Sequence, residues 1–208
     1  MNILFFGKTH YLDALQRQRE LVDQRVAGRI DDTLIFTEHF PVITFGSAQD
    51  SESNLLVNRE RLAQEGIECC QTSRGGNITY HGPGQLICYP IVQLKNRDLH
   101  AYLRSLESVI LETIAAFGLR GQRIAGKTGI WIENRKIAAI GIAVKHWVTY
   151  HGFALNVNPD LAHFQYIVPC GITPEEGTVT SMANELPQCP TLAAVQSAAQ
   201  KAFATVLI

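Results

Sequence analysis

The chain has 208 residues, a net charge of −1 and 46% hydrophobic residues. That length suits one domain, residues 1–208, with a substantial core. The near-neutral charge offers no basic stripe for nucleic acid, and no apolar run reaches membrane-spanning length.

The opening segment Met1–Lys8 is too short in its apolar run for a signal peptide and lacks the Arg/Ser-rich composition of a transit peptide. Tyr11 to Val26 reads as a helix, with Leu12, Leu15, Val22 and Val26 near one face and Thr9 as its expected cap. Arg17, Arg19 and Arg25 on it could form a docking patch for an acidic partner, though an ordinary solvated face is the favoured reading. Thr33–Phe36 and Val42–Phe45 are expected strands joined by a turn around His39-Phe40-Pro41. A short helix follows from Asn58 to Glu65, stopped by Gly66. Ile67–Thr72 and Leu86–Leu94 are expected strands on either side of a glycine-rich loop. Asp98 caps the clearest helix, whose apolar face runs from Leu99 to Ile114 and which Gly118 ends. The run from Gly129 to Val144 is β-rich on both sides of Glu133-Asn134-Arg135, so it is a hairpin. Thr149–Val157 is a further strand, and an alanine-rich helix begins after Thr191. Hairpins are frequent and strict β-α alternation is absent. The fold class is therefore α+β, with a mixed, mostly antiparallel sheet flanked by helices.

The glycine-rich loop runs Arg74-Gly75-Gly76-Asn77-Ile78-Thr79-Tyr80-His81-Gly82-Pro83-Gly84-Gln85. Glycines let backbone N–H groups come close to a ligand because no Cβ intervenes, and Gly82-Pro83-Gly84 is a turn signal. A binding surface and a plain connection both fit that composition. The stretch Gly121 to Thr128 matches the phosphate-loop pattern G-x-x-x-x-G-K-[ST], but a strand follows it where that pattern needs a helix N-terminus, so it is rejected.

Five cysteines, an odd number without a Cys-x-x-Cys pair, argue against a disulfide framework or a zinc site and fit a reducing cytoplasm. Cys170 stands out because it lies between Pro169 and Gly171, in a loop that can present a side chain to a ligand. An inert small hydrophobe is the alternative. Lys136 opens the second strand of the hairpin, where a solvated turn lysine is the ordinary reading.

Together the motifs R-G-G-x-x-T-Y-H-G-P-G-Q, K-I-A-A-I-G, H-G-F-A-L-N and P-C-G-I, in this order, make the chain resemble the lipoyl(octanoyl) transferases of lipoate biosynthesis. The resemblance implies the fold of the biotin and lipoate protein ligases. It implies transfer of an octanoyl group from octanoyl-acyl carrier protein to a specific lysine ε-amine on lipoyl domains, those of the 2-oxoacid dehydrogenase complexes and of the glycine cleavage H protein, in the cytoplasm. It places the acyl-thioester cysteine on Cys170 and the lysine that tunes it on Lys136. Substrate contacts fall on Arg74, Gly75, Gly76, Asn77, Ile78, Thr79, Tyr80 and His81, on Ala139, Ile140 and Gly141, and on Gly152, Phe153 and Ala154. No cofactor and no metal are implied.

The residue chemistry agrees. A thiolate attacks a thioester with little change in bond energy and leaves an acyl group reactive toward an amine. A free cysteine is only about 3% thiolate at pH 7, and a neighbouring ammonium raises that fraction. Three other readings compete: an ATP-dependent lipoate or biotin ligase, which needs no nucleophilic cysteine; a catalytically silent acyl- or lipoyl-domain binding protein, which needs neither Cys170 nor Lys136; and a thiol protease, for which no motif places His151 or His163 as the base. His81 is left with two roles, orienting a substrate or a structural hydrogen bond.

Overall fold

The computed structural model describes residues 1–49, 51–168 and 177–207. Among them the elements run β1 (Asn2–Thr9), α1 (Tyr11–Val26), β2 (Thr33–His39), β3 (Val42–Phe45), α2 (Arg59–Gln64), β4 (Glu68–Gln71), β5 (Ile78–His81), β6 (Gln85–Ile91), α3 (Leu99–Ala115), β7 (Gln122–Ile124), β8 (Lys127–Ile132), β9 (Arg135–Lys145), β10 (Val148–Asn156), a 3₁₀ turn (Leu161–Tyr166), β11 (Thr178–Val179), α4 (Met182–Glu185) and α5 (Leu192–Val206).

The strands form two sheets. The larger has the order β1-β2-β6-β10-β9-β8-β7, with β11 beside β9; the smaller is β4-β3-β5. Pairing is parallel for β1/β2, β3/β4 and β9/β11 and antiparallel elsewhere, so the sheet is mixed but mostly antiparallel, as expected.

The two-residue period of the central strands sorts their side chains to opposite faces. Leu34, Phe36, Leu86 and Cys88 join the α3/α5 core, while Ile35, Ile87, Tyr89 and Ile91 face α1. A third apolar cluster joins the smaller sheet to α2 and the 3₁₀ turn through Ile43, Phe45, Leu62, Ile78 and Phe164.

Helix caps agree with their residue types, with one correction. The side chains of Asn58, Asp98 and Thr191 each accept the backbone N–H of the residue three positions on, Arg61, Ala101 and Ala194. Thr9 does not cap α1: it ends β1, and His10 holds the cap position without a side-chain bond. The turn at Phe40-Pro41 does not make a hairpin; it hands the chain from the larger sheet to the smaller. The loop assigned to residues 74–85 contains a strand, β5, because Ile78 to His81 pairs with Val42 to Phe45. Gly121 to Thr128 forms the β7–β8 hairpin, and no helix begins at Lys127-Thr128, in keeping with rejection of the phosphate loop.

Candidate active site

The glycine loop is stitched to its surroundings by its own backbone. Gly75 N–H donates to Ile142 O at 2.9 Å, on β9, and Ser47 N–H donates to Arg74 O at 3.0 Å. A Cβ on Gly141 would lie 2.9 Å from Gly75 O, so two glycines permit the loop to rest directly on β9. Gly76 has φ +88°, a conformation glycine adopts without strain.

Arg74 works here as a strut. It is 6% exposed, and its guanidinium donates to Thr44 O at 2.7 Å, to Thr44 Oγ1 at 2.9 and 3.2 Å and to Gly75 O at 3.2 Å.

Lys136 is not a solvated turn residue. It is 6% exposed, and its Nζ lies 5.5 Å from the centroid of the Trp131 ring, with Lys127 Nζ at 5.6 Å from the same ring. The tight β8–β9 hairpin, which pairs Ile132 with Arg135, puts Trp131 directly opposite Lys136, and the register shifts only beyond that pair, between Trp131 and Ile130. The Lys136 stem fits because residue 129 is glycine, φ +114°; a Cβ there would come within 2.8 Å of Lys136 Cε.

Two cavities meet at Lys136. One, of about 450 Å³, is walled by Gly75, Gly76, Asn77, Ile140 and Gly141. The other, of about 590 Å³, is apolar, with Leu56, Leu161, Phe164, Ile167 and Val179 among its walls. A third space of about 30 Å³ lies deeper and touches Arg74, Thr79, His81, Ala139 to Gly141 and Gly152 to Ala154.

The three segments singled out in the sequence therefore converge, with two exceptions. Ile78 and Tyr80 belong to the apolar cluster of the smaller sheet, because alternate residues of β5 face opposite sides; only Thr79 and His81 face the cavity. Cys170 lies outside the described residues.

Behind the cavity sits a buried polar cluster that the motifs did not reveal as a unit. His39 Nε2 is 2.6 Å from Tyr89 Oη and its Nδ1 is 3.1 Å from Thr9 O, while Tyr11 Oη donates to Thr72 Oγ1 at 3.0 Å. The His81 ring lies parallel to that of Tyr11, 6.2 Å away. Burial lowers His39 to about 4. Burial, with Arg74 adding to it, lowers His151 to about 3. Burial and the neighbouring His39 hold His81 well below its ordinary value. All three are neutral at pH 7. The signal for this cluster in the sequence was thin: His151 sits in H-G-F-A-L-N, but His39 stands in no motif.

Among the described residues no group of three or more His, Cys, Asp or Glu side chains could hold a metal. The thiols of Cys69, Cys70 and Cys88 are all pushed up by burial, which disfavours the thiolate.

The fold, a mixed and mostly antiparallel sheet flanked by helices, is that of the lipoate and biotin protein ligases. Lipoate-protein ligase A bound with ATP superposes with a TM-score of 0.79 at 16% identity, covering 99% of this chain and 85% of that one. The Aquifex aeolicus biotin protein ligase in complex with biotin and ATP gives 0.60 at 12% identity, with 99% and 70% covered. Residues 10–204 match the lipoyl protein ligase A/B catalytic domain. The octanoyltransferase of Rubrobacter xylanophilus is 47% identical over 202 residues, 97% of this chain and 90% of that protein. That of Gloeobacter violaceus is 47% identical over 205 residues, 96% and 87% of the two. The chain belongs to the octanoyltransferase family of enzymes.

Proposed function

We propose that this enzyme, acting as one catalytic domain, moves an octanoyl group from octanoyl-acyl carrier protein to the ε-amine of a specific lysine on lipoyl domains, through a thioester on Cys170. The acceptors are the lipoyl domains of 2-oxoacid dehydrogenase complexes and the glycine cleavage H protein, and the setting is the cytoplasm. No helix among the described residues is long and apolar enough to cross a membrane. The observation that carries the reading is Lys136: a buried ammonium at the junction of two cavities, beside a glycine loop whose backbone approaches within hydrogen-bonding distance of β9.

In the first half-reaction the Cys170 thiolate, favoured by the Lys136 ammonium, attacks the donor thioester. The new C–S bond forms, the donor C–S bond breaks, and the carrier thiolate takes a proton from Lys136. In the second, the acceptor amine attacks the Cys170 thioester. The C–N bond forms, the electron pair returns to Cys170 Sγ, and the proton released from nitrogen goes to the now neutral Lys136. The cycle ends with the same charges it began with, and it calls on neither ATP nor a metal, because the donor thioester is already activated.

The test is a peptide mass map after incubation with octanoyl carrier protein. The octanoyl adduct is expected on Cys170 and absent from Cys170→Ala, which should also lose transfer. An adduct on Cys69, Cys70, Cys88 or Cys189, or undiminished transfer by Cys170→Ala, overturns the assignment. Strict dependence on ATP would move the chain to the ligase reading.

A further inference from the structure

A directed chain of buried hydrogen bonds runs beneath the site. Gln85 and Asn156, 1% and 4% exposed, face each other across β6 and β10. Gln85 Oε1 accepts from Gly82 N–H at 3.4 Å and lies 3.2 Å from His81 Nδ1. Gln85 Nε2 donates to Tyr80 O at 3.3 Å and to Asn156 Oδ1 at 2.8 Å. Asn156 Nδ2 then donates to Thr180 O at 2.9 Å, and Thr180 N–H donates to Lys136 O at 2.9 Å.

Neither amide can be reversed. Turning Gln85 over would set its NH₂ against the Gly82 N–H and its oxygen against Tyr80 O; turning Asn156 over would set oxygen against Thr180 O. The direction also fixes His81: Nδ1 carries the proton that meets Gln85 Oε1.

Thr180, itself 2% exposed, is gripped from a third side. Its Oγ1 donates to Glu185 Oε1 at 2.6 Å, and Glu185 is held by Arg135 through two bonds of 2.8 and 3.0 Å. The strand before it, β11, has only two residues, paired with Arg135 and Lys136. So short a strand owes its register to the anchor that follows it.

A same-sized apolar pair at 85 and 156 would avoid the cost of burying two amides. What such a pair could not supply is direction and register between β5, which carries His81, and β11, which backs Lys136. We propose that Gln85 and Asn156 are positioning residues for octanoyl transfer, holding these two walls of the site in one register. The inference rests on the reading of Lys136 as the catalytic lysine.

The test compares transfer by Asn156→Asp, Asn156→Leu and Gln85→Met with wild type from about pH 8 to pH 6. Asn156→Asp keeps the acceptor for Gln85 but turns a carboxylate oxygen toward Thr180 O. Burial raises that carboxyl, and once protonated it donates where Nδ2 did. Its kcat should fall roughly 10²-fold at the higher pH, the scale for a misplaced group, with donor KM little changed. The deficit relative to wild type should narrow as the pH falls. Asn156→Leu should show the same loss at every pH, and adding Gln85→Met to it should cost little more.

A deficit in Asn156→Asp that ignores pH, or wild-type transfer by Asn156→Leu, overturns the proposal. Should Asn156→Asp fail to fold, the double-mutant cycle decides, and additive losses overturn it. Lys136→Met measured alongside separates the two claims. If it transfers at the wild-type rate, the site reading itself fails; if it is inactive while every amide variant is normal, only the positioning claim fails.

Discussion

The stem of Lys136 crosses Gly129 so closely that a single methyl group on that glycine would sit 2.8 Å from Lys136 Cε. The same methyl would press still harder on Ala138 O, and the glycine holds φ +114°, where other residues are strained. Gly129 is therefore the space through which the lysine reaches the site.

Gly129→Ala should lose activity far beyond its loss of stability. Strain of this kind costs on the order of 1–3 kcal/mol, whereas a displaced ammonium can cost roughly 10²-fold in rate. Thermal melts and steady-state transfer on the same preparation check this. A variant that melts earlier but transfers at the wild-type rate would show that the clearance does not matter to Lys136.

Lys136→Met and Lys136→Arg separate charge from proton transfer. Met removes the ammonium and keeps most of the stem, so alkylation of Cys170 by iodoacetamide at neutral pH should slow and transfer should fall roughly 10²–10⁴-fold. Arg retains the charge but cannot deprotonate, so it should preserve alkylation and still fail in transfer. Equal alkylation rates in wild type and Lys136→Met would remove the electrostatic role.

Gly76→Val should cripple transfer with a modest loss of stability, for a reason of backbone geometry. A Cβ at Gly76 would meet only Arg74 Nη1, at 3.7 Å, so nothing collides; the cost is φ +88° imposed on a β-branched residue. The relaxed loop would no longer follow the path that lets Ala48 N–H donate to Gly76 O at 3.2 Å. Full activity would make the loop a mere connection.

The buried histidines predict the acid limb of stability. Their folded values are lowered, to about 4 for His39 and about 3 for His151, while the unfolded chain titrates near 6.5. The unfolded state therefore binds more protons in that window. Stability is fully present above about 6.5 and falls as pH drops toward the folded values, by at most about 1.4 kcal/mol per histidine per pH unit. Urea midpoints across this range should show the decline, and His39→Gln, which cannot titrate, should make it shallower. An identical slope in the variant would mean that His39 is not among the groups responsible.

Much of this architecture could be read from residue patterns, and the misses share a cause. Helix α3 was legible because a long apolar stripe needs no partner to be seen. Helix α1 was legible in its extent but not in its face, since Leu12 and Val26, read onto the apolar side, are exposed while Tyr11, Ala14 and Gln18 are buried beside Leu15 and Val22. Strand β5 was not, because Ile78 to His81 is short and flanked by glycines, and only its pairing with Val42 to Phe45 makes it a strand. Thr9 was misread as a cap because sequence shows its hydroxyl but not the β1 ladder that claims it. At the site, Lys136 and the glycine loop could be found as motifs. Trp131, Gly129 and His39 could not, since their importance comes from what lies across a strand or behind a cavity. Gln85 and Asn156 stood inside recognisable motifs, yet only the β6/β10 register brings their amides together.

The strand order has a consequence for how the protein is made. Strand β6 lies near the centre of the larger sheet, with Tyr89 opposite Ile35 on one side and Cys88 opposite Phe153 on the other. Its first neighbour has left the ribosome before it, but its second is synthesised only after α3 and the β7–β9 segment. The nascent chain must therefore carry an apolar strand with one open edge through much of translation, and such edges invite pairing with other chains. Closing the sheet also waits on contacts between distant parts of the chain, which slows folding. Newly made protein should depend on chaperones more than a helical enzyme of this size, with the demand greatest before Val148–Asn156 emerges.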